Sequence, residues 1–278
     1  MCGTGLQPCV SPRLLSTLID ALISVIVAPA CAVCDALLDR PSAGPVCDAC
    51  WAAIHPVTPP LCPVCGDPLP AGRLAAATAG AAATVGAELA PPRSAVCARC
   101  RRGPSLIARS RAVGEYAGTL RAIVHVLKYD KRRSVAPRLA TLMKASGQDV
   151  LCGADAAIPV PLHWTRQWRR GFNQAALLAA HLDIAVWPAL SRVRATGPQV
   201  ALAAPARRLN VRNAFALARR RWPRALPWQA RLEGRIVVLV DDVATTAATL
   251  EACAKVLRAA GVREVRALTA ARVAGSPP

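Results

Sequence analysis

Lysine is nearly missing from this chain. Of its 35 basic residues only Lys128, Lys131, Lys144 and Lys255 are lysines, the rest being arginine, and acids number just 16. The resulting formal charge of +19 favours polyanions as partners: nucleic acid, phosphorylated ligands or acidic membrane surfaces. No GxxxxGK[ST] string occurs, which argues against a P-loop nucleotidase. No apolar run is long enough to span a bilayer. The best, Leu14 to Val27, is broken by Asp20 and followed at once by cysteine pairs. It has the look of a signal-peptide core, yet is better read as a buried amphipathic helix in a cytoplasmic protein.

Cysteine, by contrast, is abundant, and its spacing says more than its number. Eight of the twelve cysteines form four CxxC pairs: Cys31/Cys34, Cys47/Cys50, Cys62/Cys65 and Cys97/Cys100. Two thiolates three positions apart grip one tetrahedral metal, and two such knuckles complete a four-cysteine zinc site. A disulfide framework seldom uses CxxC spacing alone, so a reducing compartment is expected. Sequential pairing gives Cys31, Cys34, Cys47 and Cys50 in one site and Cys62, Cys65, Cys97 and Cys100 in the other. Interleaved pairing is the alternative. Four-thiolate sites leave no open coordination position, so their zinc is structural. The Ala-rich, almost uncharged insert between Cys65 and Cys97 reads as a flexible excursion.

The rest of the chain is organised around Arg235 to Leu250, RIVVLVDDVATTAATL. Ile236 to Val240 is a β-branched run without polar alternation, as in a strand buried on both faces of a parallel sheet. Asp241 and Asp242 stand where that strand is expected to end. Ala244, Thr245, Thr246, Ala247, Ala248 and Thr249 form a small, hydroxyl-rich turn. Leu250, Cys253, Ala254 and Leu257 then recur at helical spacing up to Gly261. Backbone N–H groups opening a helix attract anions, and small side chains let a phosphate approach them. The two carboxylates suit a ribose diol or a magnesium ion instead.

Other segments fit the same α/β scheme. Tyr116 to Leu127 places Leu120, Ile123, Val124 and Leu127 on one helical face, and Lys128 at its end can reach a phosphate. A second helix is expected over Val135 to Lys144. Ala156 to Pro161 reads as a buried strand and runs into a loop carrying Arg166, Arg169, Arg170 and Gly171. Loops beyond strand carboxyl ends bind ligands in open α/β sheets, and guanidinium forks suit diphosphate oxygens. Trp164, Trp168 and Phe172 beside these arginines suit stacked nucleic-acid bases equally well. Ser191 to Phe215 is long, basic and broken by Gly197, Pro198 and Pro205, as a lid over a phosphorylated substrate would be. A last strand is expected at Val265 to Ala271.

The DDVATTAAT string resembles the phosphoribosyl-diphosphate (PRPP) motif of type I phosphoribosyltransferases, with Ala247 where glycine is usual. More of the chain is similar to the ComF/GntX family. The similarity lies in PVPLHWTRQWRRGFNQ, in the string Arg192, Arg194, Thr196, Gln199, and in the string Arg207, Asn210, Asn213, Ala214, Phe215, together with the cysteine-rich opening. It implies a type I phosphoribosyltransferase fold, a Rossmann-like parallel sheet, with a small N-terminal zinc-ribbon module. The expected division is 14–100 for the N-terminal helix and double zinc ribbon, 101–115 for a linker, and 116–275 for the phosphoribosyltransferase-like domain.

Carried over residue by residue, the resemblance assigns Asp241 and Asp242 to the ribose diol. It assigns Thr245, Thr246 and Thr249, with the backbone around Ala244, Ala247 and Ala248, to the 5′-phosphate. Arg169, Arg170 and Gly171 fall at the diphosphate, and Lys128, Arg192, Gln199 and Arg207 join the site, the last three from the lid. Mg²⁺ would accompany PRPP. The implied activity is pentosyl transfer linked to DNA uptake and natural transformation, although no residue stands out as a general base. The alternative is a non-catalytic module that binds single-stranded DNA or a helicase-like competence partner and keeps a vestigial phosphoribosyl site.

Overall fold

The computed structural model describes residues 20, 23, 28–69, 96–103, 105–130, 132–194, 213–218, 227–245 and 247–273. The expected helix at Leu14 to Val27 and the Ala-rich insert lie mostly outside these residues. The chain divides into two compact units, Met1–Ile54 and His55–Pro278. Among the described residues no helix is long and apolar enough to cross a membrane.

Among the described residues, the first unit holds a cysteine-built ribbon. A bridge between Ala30 and Leu37 closes its first knuckle, where Asp35 takes a left-handed conformation at φ 59°. A 3-10 turn at Pro41–Ala43 leads to the second knuckle and helix α1 (Asp48–Ala52). Cys47 caps α1, its sulfur accepting the Cys50 N–H at 3.4 Å.

The second unit opens with another ribbon. A bridge between Leu61 and Pro68 forms its knuckle, and helix α2 (Ala98–Arg102) follows Cys97. A four-stranded sheet comes next. Its strands are β1 (Arg109–Glu115), β2 (Ala156–Pro159), and two longer ones, β5 (Ile236–Ala244) and β6 (Glu264–Arg272). The order is β1-β6-β5-β2, and every pairing is parallel. Between β1 and β2 run helices α3 (Gly118–Tyr129), α4 (Ala136–Ser146) and α5 (Gln148–Leu151). After β2 come α6 (Trp164–Arg170), α7 (Gln174–Ala179) and a separate antiparallel pair, β3 (Leu190–Arg192) with β4 (Phe215–Leu217). Helix α8 (Trp228–Leu232) precedes β5, and α9 (Ala248–Ala259) carries the chain from β5 to β6.

Helices cover both faces of this sheet, which is why β5 reads as an unbroken apolar run. On one face Val237, Leu239, Val265 and Ala267 pack with Leu250, Cys253, Ala254 and Leu257 of α9, with Leu190 and Phe215 of the β3–β4 pair, and with Trp228 and Leu232 of α8. Helices α3, α4 and α7 lie against the sheet from the other side. There Leu268 is packed so tightly under Gly147 that an added Cβ would lie 2.5 Å from its Cδ1.

Three sequence expectations change. Strand β5 does not stop at the acid pair but continues to Ala244, because β6 is equally long and pairs Val243 with Ala271 and Ala244 with Arg272. Residues 109–115, expected within a linker, form β1 at the sheet edge, hydrogen-bonded along β6. The arginine-rich stretch after β2, expected as a loop, is helix α6. His163 caps it by accepting the Thr165 N–H at 3.4 Å, and Gly171 ends it at φ 76°.

Candidate functional site

Because side chains alternate along a strand, Asp241 and Asp242 leave β5 on opposite faces. Asp242 turns toward α3. Its Oδ2 lies 3.1 Å from Lys128 Nζ, and the two side chains are only 12% and 14% exposed. Burial alone would push the Lys128 ammonium below its usual range, but the charges of Asp242 and Asp241 outweigh burial and raise it. The Lys128 Nζ also stands 5.7 Å from the centre of the Tyr116 ring, a favourable place for a cation.

Asp241 turns toward α9 and β3. Its side chain keeps some contact with solvent, but loss of hydration, and then the negative charge of Asp242, push its carboxyl up to about 8. The Asp242 N–H, donated to its Oδ1 at 2.9 Å, and the charges of Lys128 and Arg192 pull the other way. Thr269, the β6 residue in register with Asp241, is 1% exposed, and its hydroxyl has no hydrogen-bond partner among the described residues. Arg192, the last residue of β3, stacks 5.3 Å above the Phe215 ring. Burial first, and then nearby Arg166, lower its pKa, while Cys253 and Asp241 partly restore it.

The turn after β5 is the expected one, with a sharper geometry. Ala244 ends the strand, and Ala247 is the residue before the first turn of α9, at φ 56° and ψ −2°. That left-handed conformation favours glycine. Alanine carries no oxygen to cap the helix, so the side chain of Ala247 takes none of the opening amides of α9, as a serine or aspartate would. Ala248 and Thr249 lie in that first turn, half-buried. Thr245 sits between strand and helix.

The α6 segment frames the other side. Arg170 stacks 5.2 Å from the ring of Tyr129, the residue that follows Lys128 in sequence, and donates to Gln174 Oε1 at 3.2 Å. The Gly171 carbonyl accepts Arg133 Nη2 at 3.2 Å. Arg169 lies on α6. The structure thus brings Lys128 and Arg192 to the acid pair, and sets Arg170 against the Tyr129 ring. Thr246, Gln199 and Arg207 lie outside the described residues, as does the side chain of Arg169 and the rest of the expected lid at 195–212. Sequence reasoning missed Tyr116, which its N–H bond to Arg272 places beside Lys128, and Thr269, which strand register places beside Asp241.

The eight CxxC cysteines form two clusters with the expected sequential pairing. In each, the four sulfurs lie within 4.8 Å of one another. Individual separations are 3.9 Å for Cys31–Cys50, 3.7 Å for Cys34–Cys47 and 3.5 Å for Cys65–Cys97. Thiolates about 2.3 Å from one tetrahedral zinc stand roughly 3.8 Å apart. Backbone N–H groups of Cys47 and Cys97 point at the sulfurs of Cys31 and Cys62 at 3.3 and 3.4 Å, as thiolate ligands require. The donor set and spacing fit structural zinc.

Residues 22–79 match the double zinc ribbon domain, and residues 195–277 match the phosphoribosyl transferase domain. The second match spans β4, β5, α9 and β6, hence the acid pair and its turn. The chain is 34% identical over 234 residues to the DNA utilization protein YhgH of Salmonella typhi, covering 80% of this chain and 87% of the relative. The YhgH protein of Escherichia coli (strain K12) is 32% identical over 231 residues, with the same coverage. The chain belongs to the ComF/YhgH family. Competence protein F of Haemophilus influenzae is 35% identical over 189 residues, 63% of this chain and 78% of that one. The zinc ribbon match stops at residue 79, short of Cys97 and Cys100. In this member of the ComF/YhgH family those two cysteines nevertheless complete the second cluster.

Proposed function

We propose that the carboxyl edge of the sheet binds PRPP with Mg²⁺, and that the protein serves DNA utilisation of the kind named for its relatives. One observation carries this: a helix amino terminus preceded by a left-handed, uncapped Ala247 opens beside two carboxylates at the end of a buried parallel strand. The α9 amides with Thr245 and Thr249 take the 5′-phosphate. Asp242 uses part of its acceptor capacity on Lys128 and keeps the rest for a ribose hydroxyl, while Asp241 takes the other. Lys128, Arg170 and Arg192 answer the diphosphate charge, and Arg169, Gln199 and Arg207 are assigned to the same ligand. The oxygen-rich acid pair and diphosphate are of the donor type that Mg²⁺ prefers, and the ion would neutralise the leaving diphosphate. In pentosyl transfer the bond from C1′ to diphosphate breaks and positive charge develops on the ribose. The chain contributes by holding negative charge beside the ring and excluding water. Such chemistry suits the cytoplasm, where PRPP is available.

Calorimetric titration with PRPP, with and without Mg²⁺, tests this. Binding to the wild-type protein that disappears when Asp241→Asn and Asp242→Asn are combined is the expected result. Equal affinity in the double variant rules the assignment out.

A second role is favoured by Trp164 and Trp168. They are 71% and 84% exposed, four positions apart on α6, and are flanked by arginines. That is a stacking platform with cationic edges, suited to single-stranded DNA, with or without a helicase-like partner. Oligonucleotide affinity should fall steeply with salt and weaken in Trp168→Ala. Affinity indifferent to both rejects this role.

A further inference from the structure

Strand β6 ends on the second cysteine cluster. Arg272, its last residue, is buried. The Nη1 of Arg272 donates to the Cys65 carbonyl at 3.2 Å, and its Nη2 pairs with Asp67. Asp67 Oδ2 lies 3.2 Å from Cys65 Sγ and 3.9 Å from Cys97 Sγ, and 3.4 Å from Arg99 Nη2. Four thiolates around a divalent ion are net negative, and a carboxylate beside them adds to the charge. Arg99 and Arg272 supply the compensation. Arg99 belongs to the ribbon's own helix α2; Arg272 belongs to the sheet.

From Arg272 the backbone leads to the site in two directions. Arg272 is in register with Ala244, and the next residue, Val273, donates its N–H to the Ala244 carbonyl at 2.9 Å. Ala244 leads directly into Thr245 and α9. The Arg272 carbonyl accepts the Tyr116 N–H at 2.6 Å, and Tyr116 is the ring beside Lys128. The same knuckle is fastened to β1. The Ser110 N–H donates to the Val64 carbonyl at 2.6 Å, and Arg111 Nη1 donates to the Pro63 carbonyl at 3.2 Å. Gly66, at φ 69°, comes so close that an added Cβ would meet the Ser110 carbonyl oxygen at 2.7 Å.

We propose that Arg272 is a positioning residue that ties the second cysteine cluster to the β5–α9 turn, so that metal in that cluster holds the phosphate-binding amides in place. The proposal rests on the assignment of that turn to the PRPP phosphate. A buried guanidinium that loses its partners is strongly unfavourable. Both of its partners, the Cys65 carbonyl and Asp67, are placed by a knuckle that the metal closes. Loss of the metal releases them, and the end of β6 then opens to hydrate Arg272, taking its bond to Ala244 with it.

Amide hydrogen exchange over residues 243–249, measured without ligand, tests the coupling on the full chain. The comparison is between zinc-loaded wild type, Cys97→Ser, Arg272→Gln and Arg99→Gln, with zinc content measured on each. Exchange about tenfold faster in Cys97→Ser and Arg272→Gln, with Arg99→Gln like wild type, is expected, as is full zinc content in Arg272→Gln. Affinity for PRPP with Mg²⁺ should weaken about tenfold in the same two variants. If Arg272→Gln does not fold, Asp67→Asn takes its place and is read in the same way. Wild-type exchange in Arg272→Gln, or in Asp67→Asn, overturns the proposal. A wild-type protein that gives no heat with PRPP overturns the ligand assignment instead, and the exchange pattern still decides the coupling.

Discussion

Lys128 and Asp242 form an ion pair 3.1 Å long in which neither side chain is more than 14% exposed. Removing one partner of such a pair leaves the other desolvated and alone. Lys128→Met should therefore destabilise the protein by roughly 3 kcal/mol. Adding Asp242→Leu should recover most of that loss without restoring PRPP binding. Because the ammonium pKa is raised in the folded state, the pair contributes fully below the ordinary lysine range. That contribution disappears as pH rises through the folded value. Urea unfolding of wild type and both variants from pH 7 to about 11 measures each effect.

Asp241 behaves in the opposite sense. Its carboxyl is pushed up to about 8, so between the ordinary carboxylate range and that value the folded protein binds a proton that the unfolded chain has released. Stability therefore falls as pH rises from about 4 to about 8. Asp241→Asn removes that slope, and near pH 8 it should be more stable than wild type. A variant that gains stability while losing the ligand identifies a residue kept for binding. Thermal unfolding at four or five pH values gives the comparison.

Ala247 holds a left-handed conformation, φ 56°, that glycine adopts without penalty. Ala247→Gly should stabilise the fold by about 0.5–1 kcal/mol, a gain limited by glycine's extra freedom in the unfolded chain. PRPP affinity should stay equal or improve. Denaturant midpoints at constant slope are the readout.

Each cysteine cluster should carry its own zinc. Native mass spectrometry of the intact chain is expected to show two ions. Cys34→Ser and Cys100→Ser should each lose one, because the two sets of four sulfurs are complete in themselves.

What the sequence disclosed was local chemistry. A β-branched run, two acids, a small-residue turn and an apolar helical stripe lie within twenty-odd consecutive residues, and the structure builds a parallel strand and helix from them. The cysteine pairs were equally legible, since CxxC is a local geometry and sequential pairing needs the shortest chain excursions. Harder to see was whatever depends on a distant neighbour. Strand β5 runs past its acids because β6 is there to pair with it. Strand β1 reads RSRAVGE, too polar to declare itself, and is held by β6 and by the second knuckle. Arg272 finds its partners at Cys65 and Asp67, some two hundred residues earlier. Its one signal was a charge closing the uncharged run from Ala267 to Ala271.

The opposite facing of Asp241 and Asp242 has a consequence for how this protein tolerates change. A single-residue insertion or deletion between Ile236 and Val240 would leave the strand apolar and the sheet well able to form. It would also exchange the faces of the two carboxylates, turning Asp242 away from Lys128 toward α9 and Asp241 away from α9 toward α3. Evolutionary drift in the length of this segment is thus barred by the alternation of the pleat, even where the hydrophobic content would permit it.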